Sequence, residues 1–314
     1  MNSGWRSLAR ADAEGLRALA RACDEALGTD EEPLADRCVA RLARDEHAPH
    51  TAAREDAHGL AAAGWIDWLR GGEPRALLRA FARPDARQLE DELIEMLHDR
   101  AVRLLRDEPA EHPRWVRADR VLRGDASSLP PGTLDTYKRL GLTFLYVEHE
   151  MRRPLDPLPV PVVFPNRIRI ERWTRERDAA IREAYNAAFA DRGFAGYGIA
   201  EWATGPFSGQ ESFRPELSFL ALEGGTISGF VLCTVEDDEP HTGWIDTVGV
   251  GPAARSRGIA DGLLFAAMRA MYAAGLRDAA LRVNDDNPRA RRVYDRLGFT
   301  TGRKHVVYRK PAEP

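Results

Sequence analysis

The sequence predicts an α/β fold, an α+β mixed sheet, present twice in tandem. Three observations predict it. A proline-rich run from Pro154 to Pro165 breaks the chain near its middle. Landmarks on the two sides of that break recur in the same order. The second half reads as βααβββαβαβ, a sheet built around helices.

Prolines cannot occupy a helix interior or a central strand, so the run reads as an extended linker, partly polyproline II. It separates a domain at 1–153 from one at 167–314, with 154–166 between them. The first half ends TYKRLGLTFLYVEHEMRRP and the second VYDRLGFTTGRKHVVYRKP. Tyr137 to Pro154 and Tyr294 to Pro311 have the same 17-residue separation, each with Arg-Leu-Gly following the tyrosine. Upstream, Ala82-Arg83-Pro84 answers Val250-Gly251-Pro252. The offset is 168 at the prolines and 157 at the tyrosines, so the first half holds eleven extra residues, expected around Asp107–Pro113. Two landmarks in one order argue for a duplicated domain.

In the second half Arg167–Trp173 alternates as a strand. Arg175–Ala190 is apolar at helical spacing through Ile181, Ala184, Tyr185 and Phe189. Leu217–Leu222 and Ile227–Val235 flank a Glu223-Gly224-Gly225-Thr226 turn, which reads as a hairpin. Trp244–Val250 is a strand, and Gly258–Ala274 a helix stopped by Gly275. Ala279–Val283 is a strand, Asn287–Leu297 a helix ended by Gly298, and Val306–Arg309 a last strand.

Composition narrows the function classes. The 314 residues are 44% apolar and 30% charged, enough for two cores and an ordinary surface. A net charge of −4 with no basic stripe argues against nucleic acid. Cys23, Cys38 and Cys233 are far apart, with no metal-ligand spacing, which fits a reduced protein. His47 and His50 sit in a polar stretch and read as solvated. No metal is expected. The N-terminus lacks an apolar signal core and no run is long enough to span a bilayer, so the expected location is cytoplasmic and no membrane partner is expected.

Between the strand Trp244–Val250 and the next helix lies GPAARSRGIA. A strand feeding a glycine-containing turn and then a helix aims unsatisfied N–H groups at one spot, and the helix dipole favours an anion there. Gly258 permits close backbone approach, Ala260 is small, and Arg255 and Arg257 add charge. As mechanics this is a pyrophosphate cradle, although no Gly-Lys-Ser/Thr P-loop follows. The same residues also fit a plain loop and helix start.

A second segment, Leu281-Arg-Val-Asn-Asp-Asp-Asn-Pro-Arg-Ala-Arg-Arg-Val-Tyr-Asp-Arg-Leu-Gly-Phe299, supplies the context. With it, Trp244–Phe299 resembles the GCN5-related N-acetyltransferases (GNAT). Their hallmark is Arg/Gln-x-x-Gly-x-Gly/Ala followed by an Asn…Ala…Tyr…Gly-Phe stretch. Glu201-Trp202, Leu217-Ser-Phe-Leu-Ala221, the proline-rich linker and the tandem layout resemble the mycothiol synthase group of that family.

The resemblance implies acetyl-CoA, or another short acyl-CoA, as cosubstrate. It implies backbone contacts to the pantetheine arm from Val248, Gly249 and Val250. The pyrophosphate would rest on the amides of Arg255, Ser256, Arg257, Gly258, Ile259 and Ala260. Asn287 would touch the cofactor arm, while Asn-Pro equally reads as a helix cap. Tyr294 matches the family's general acid, which protonates the departing thiolate; it also fits a core stripe with Ala290, Val293 and Leu297. Where the family often has a glutamate, this chain has Trp244, and Asp246 two residues along is the candidate base. A hydrogen-bonded structural aspartate is the alternative, and a water relay needs no strong base. Asp237, Asp238 and Glu239 read as a solvated turn, with the steering of a cationic amine as the alternative. Cys233 reads as a small buried hydrophobe.

Against RSRGIADGLL the first half sets RQLEDELIEML. Matching the prolines puts Glu90 in the slot of Gly258 and Glu92 in that of Ala260. With Asp91 they place negative charge where a pyrophosphate would sit. The expectation is therefore a non-catalytic first domain that buttresses the second, in a monomer that is its own pseudo-dimer. The function expected is direct acetyl transfer to a primary amine of a small molecule. A protein N-acetyltransferase and a non-catalytic acyl-CoA-binding module are the alternatives.

Overall fold

The structure is a computed structural model that describes residues 4–44, 50–69, 74–107, 113–124, 129–130, 132–161, 167–192, 196–204 and 210–312. The expected insertion near Asp107–Pro113 and the end of the linker fall largely outside the described residues, as does His47. The chain divides into two compact units. The first is Met1–His149 with Asn284–Asp286 and Gly302–Pro314; the second is Glu150–Val283 with Asn287–Thr301.

In chain order the elements are α1 (Ala13–Leu27), α2 (Glu32–Arg44), β1 (Thr51–Asp56), β2 (Gly59–Leu69), β3 (Arg75–Ala82), α3 (Gln88–Arg106), β4 (Trp115–Arg123), α4 (Thr133–Arg139) and β5 (Thr143–Pro154). They continue with β6 (Ile168–Arg172), α5 (Asp178–Phe189), α6 (Ile199–Thr204), β7 (Phe219–Glu223), β8 (Thr226–Thr234), β9 (Thr242–Val250), α7 (Ile259–Ala273), β10 (Asp278–Asn284), α8 (Pro288–Arg296) and β11 (Thr300–Pro311).

The first unit orders its strands β1-β2-β3-β4-β11, so the chain's last strand closes its first unit. Arg303–Pro311 pairs antiparallel with Trp115–Arg123. The second unit runs β10-β9-β8-β7-β6, with the end of β5 beside β10. Residues 150–154, which precede the proline-rich run, thus belong to the second unit. Met151 and Leu155 lie in its core, and the Leu155 N–H donates to Arg277 O.

Each unit has a helix on one sheet face. In the second unit α7 buries Ile259, Leu263, Leu264, Ala267, Met268 and Met271 against Ala221, Val231, Cys233 and Ile245. That spacing of three and four is why the sequence reads as helix. On the other face Leu220, Phe230 and Leu232 pack against α5 and α6 through Ile181, Ala188 and Trp202. In the first unit α3 does the same with Leu93, Ile94, Leu97 and Ala101, while α1 and α2 cover Ala53, Ala63, Trp65, Phe81 and Val121.

The repeated Tyr…Arg-Leu-Gly turns out to be helix-stop chemistry. Gly141 and Gly298 are left-handed, at φ +75° and +84°. The N–H of Leu142 donates to Tyr137 O at 2.9 Å, and that of Phe299 to Tyr294 O at 3.0 Å. The glycine N–H groups bond Lys138 O and Asp295 O, closing the same double-bonded cap twice.

The loops before α3 and α7 differ more than the sequence match implied. Helix α7 begins seven residues after Pro252, but α3 only four after Pro84. Glu90 is therefore not in a glycine slot on a loop. It is the third residue of α3 and turns inward, 1% exposed, toward Arg120 and Thr133. Glu92 accepts from Trp5 and Arg54, and Asp91 from Thr136. The first unit lacks the cradle because its loop is shorter, and the acidic side chains are engaged internally.

Candidate active site

Strand β9 is the spine of the site. It pairs with β8 in register from Gly229↔Val250 to Leu232↔Thr247, then slips, so that Cys233 faces Ile245 and Thr234 faces Trp244. Asp246 is the residue left over, the centre of a β-bulge. Bulges re-aim a side chain and often sit beside binding sites. Strand β3, its counterpart in the first unit, pairs through Ala82–Arg75 without a slip. The candidate base is thus an inserted residue in the second copy.

On its other edge β9 pairs with β10 only from Thr242↔Asp278 to Ile245↔Leu281. Val248, Gly249 and Val250 lie beyond the last pair, so this edge of their backbone is not engaged by β10. Val248 and Val250 pack toward α7, and a Cβ on Gly249 would fall 2.3 Å from the Phe230 ring.

The turn into α7 supplies a concave array of N–H groups. Ser256 and Gly258 are both left-handed, at φ +63° and +74°. Gly258 is the N-cap, and no side chain caps the helix. Alternating hands of this kind gather successive N–H groups into an anion-binding hollow at the positive end of the helix. A Cβ on Gly258 would meet nothing within 4 Å, so the space over the turn is open.

The two loop arginines face elsewhere. Arg255 donates to Val250 O at 3.2 Å and Ala188 O at 2.8 Å and is ion-paired to Asp191. Arg257 makes a two-pronged bond to Glu223, both arms 2.8 Å. Both therefore brace the loop, one against α5 and the other against the β7–β8 turn. Arg289, on α8, donates to Ser256 Oγ at 3.1 Å.

Asn287 caps α8, its Oδ1 accepting from Ala290 N at 3.2 Å with Pro288 following. Tyr294 is buried in the α7-side core, its ring 6.1 Å from that of Phe299. Core position and family motif thus coincide at Tyr294.

Asp246 is open to solvent on one side and enclosed by protein on the others. Burial raises its carboxyl to about 6, the Thr234 hydroxyl pulls it down, Glu236 pushes it up and Arg282 pulls it down. A carboxyl titrating near 6 is ionised at neutral pH yet more basic than an ordinary aspartate. Tyr185, raised by burial, interacts with Thr247, Tyr197 and Asp246. Tyr185 also packs on Trp202 and Phe230, giving this side of the strand an aromatic wall. Arg152 and Arg282 lie 5.2 and 5.0 Å from the Trp244 ring, and Glu150 pairs with both. Glu239 of the acidic turn takes the other face of this network through Arg152, at 2.7 Å, while Asp237 and Asp238 are exposed.

The sequence reading did not single out Thr234, Glu236, Arg282 or Glu150. Thr234 lies in the strand Ile227–Val235 already drawn from the sequence, and Glu236 just after it. A bulge cannot be read from one strand alone, and Glu150 lies across the proline-rich break.

A mixed sheet whose two central parallel strands part beside an uncapped, glycine-led helix start is an arrangement fit to receive an extended, anionic ligand. Residues 178–299 match the acetyltransferase (GNAT) family. Among similar proteins, the mycothiol acetyltransferase of Streptomyces bingchenggensis is 36% identical over 176 residues, 54% of this chain and 56% of that one. That of Mycobacterium ulcerans is 34% identical over 192 residues, 55% and 59% of the two chains. The chain thus spans less than two thirds of the length of these curated relatives. A GCN5-related N-acetyltransferase from Sphaerobacter thermophilus superposes with a TM-score of 0.78 at 25% identity, covering 99% of this chain and 96% of that one. A tandem GNAT protein from the clavulanic acid biosynthesis pathway shares the fold, with a TM-score of 0.61 at 17% identity over 99% and 98%.

Proposed function

We propose that the chain is an acetyl-CoA-dependent N-acetyltransferase that modifies a primary amine of a small molecule by direct attack. The observation that carries this is the bulge. It sets a carboxyl that titrates near 6 beside the parting strands that lead into the α7 turn. Acetyl-CoA, when bound, supplies an activated acyl thioester. The amides from Arg255 to Ala260 hold its diphosphate, and the parted edge of Val248–Val250 holds its arm. Asn287 keeps α8 in place by capping it and contributes to the same arm.

Asp246 takes the proton of the incoming ammonium and orients the free amine. Tyr294 gives a proton to the departing thiolate sulfur. Backbone N–H groups of β9 donate to the carbonyl oxygen as it gains charge. The first unit is non-catalytic and has a supporting role. The mycothiol acetyltransferase relatives favour an acceptor that is a small molecule rather than a protein.

The test is thiol release from acetyl-CoA by the purified chain across a panel of small primary amines, with Asp246→Asn and Tyr294→Phe alongside. The expected result is turnover with at least one amine. Each variant should lose about 10²-fold or more in kcat/KM while still binding acetyl-CoA. Acetyl-CoA that binds but is consumed by no amine, or variants that turn over like the parent, would overturn the proposal.

A further inference from the structure

Thr234 is the last residue of β8 and the cross-strand partner of Trp244, so its side chain stands beside the bulge from which Asp246 projects. It is 1% exposed, and its Oγ1 makes no hydrogen bond of full geometry with any described residue, although it lies near enough to the Asp246 carboxyl to draw that group down. A buried hydroxyl without a partner is costly, because its lost contact with water is not replaced. Threonine is therefore a poor choice for this position unless something recruits the hydroxyl. Valine fills the same volume without that cost.

We infer that Thr234 is a positioning residue: its hydroxyl donates to the Asp246 carboxylate when that group ionises, and so fixes the direction in which the carboxylate meets the acceptor amine. The bulge explains why a second anchor is needed. An inserted residue lacks the side-chain neighbours that a regular ladder provides on its face. A carboxylate aimed by the backbone alone would keep its rotamer freedom.

The groups facing Asp246 from every side are consistent with this. Glu236, just beyond β8, opposes ionisation and Arg282 on β10 favours it. Arg282 is shared with Glu150. Tyr185 on α5 feels the carboxylate, and the Cys233 thiol beneath is held neutral by burial. Among these, Thr234 favours the ionised form most. The inference rests on the proposed role of Asp246 as base, and its test separates the two ideas.

The carboxyl carbons of aspartate are labelled with 13C, and the Asp246 signal is assigned by its loss in Asp246→Asn. The signal is then titrated in the parent, Thr234→Val and Thr234→Ser. The Asp246 midpoint should move up by about one pH unit in Thr234→Val and return in Thr234→Ser. In kinetics the acid limb of kcat/KM should move the same way, with KM for acetyl-CoA unchanged. An unmoved midpoint in Thr234→Val overturns the inference whether or not the chain is an enzyme. So does an active parent whose acid limb is unmoved by Thr234→Val. A moved midpoint in a chain that acetylates nothing supports the positioning and overturns the acetyltransferase reading instead.

Discussion

Arg120→Met should destabilise the first unit by about 4 kcal/mol. Arg120 is 1% exposed, on β4 just past the last residues that pair with β3. Its guanidinium lies 3.3 Å from Glu31 Oε1 and 3.3 Å from Glu90 Oε1, and it donates to Ala80 O. Methionine keeps the apolar stem and most of the volume, so the loss of the charged head carries most of the effect. Removing one partner of a buried ion pair costs about 3–5 kcal/mol. The orphaned Ala80 carbonyl adds about 1 kcal/mol. The upper end is not reached, because Glu31 can protonate. Burial already lifts its carboxyl to about 7, with Arg120 holding it down. Urea unfolding gives the magnitude, and amide exchange across β3 and β4 confines it to this unit. A loss below about 1 kcal/mol would refute the reasoning. As a control, the Arg120→Met, Glu31→Gln, Glu90→Gln triple variant should recover much of the stability, since replacing a whole buried charge set is far milder than breaking it.

Glu31 carries a pH signature of its own. Its folded carboxyl, near 7, stands above the ordinary 4.5, so its contribution is fully present below pH 4.5 and is lost as pH rises through 7. Stability of the parent minus that of Glu31→Gln should fall by about 3 kcal/mol across that window in urea melts, and a flat difference would contradict the burial argument. Gly258→Asp should weaken acetyl-CoA binding at least tenfold by calorimetry, because it sets a carboxylate over the α7 N-H groups and asks for a left-handed φ of +74°; unchanged affinity would place the diphosphate elsewhere. Gly249→Ala brings a Cβ within 2.3 Å of the Phe230 ring, so the ring must move. About 1–3 kcal/mol should be lost in thermal melts, and a neutral effect would mean that the aromatic wall is loosely packed.

Much of the second unit was legible in the sequence because its signals are local. The hairpin turn, the Gly275 and Gly298 stops and the Asn287 cap are each set by a few neighbouring residues. The glycine-led start of α7 was legible for the same reason, with Gly258 left-handed at its N-cap. Arg255 and Arg257 were read only by charge. Their partners Asp191 and Glu223 lie 64 and 34 residues away, so no local pattern shows that the guanidinium groups are already engaged. The sequence ends the first domain at Arg153, before the proline-rich run, yet Glu150–Arg153 and Gly302–Pro314 each fall in the unit of the other half. Strand partnership is a long-range property, and a repeat with matching last strands gives no clue to which copy each strand joins.

The two copies solve one problem in opposite ways. When parallel strands part, the backbone carbonyls and N–H groups along the parted edge lose their ladder partners and must find others. In the first unit β3 and β4 pair only as far as Leu78↔Ala118. Beyond that point Arg120 donates to Ala80 O, and Arg79 pairs with Asp119, which His305 also contacts. Ala80 precedes Pro84 by four residues, as Val248 precedes Pro252, so the carbonyl that Arg120 occupies corresponds to the strand edge assigned here to the cofactor arm. The first unit thus fills its own opening with a side chain and anchors that side chain with Glu31 and Glu90. It has no use for a long cradle loop, and its loop is short. The second unit leaves the edge beyond Ile245 unpaired with β10, keeps the long loop, and adds one residue to the strand, Asp246, at the point where the pairing ends. If the edge of the second unit holds the cofactor arm as proposed, Arg120 occupies the equivalent place in the first, so that opening that slot means removing Arg120 with its carboxylates rather than restoring a glycine.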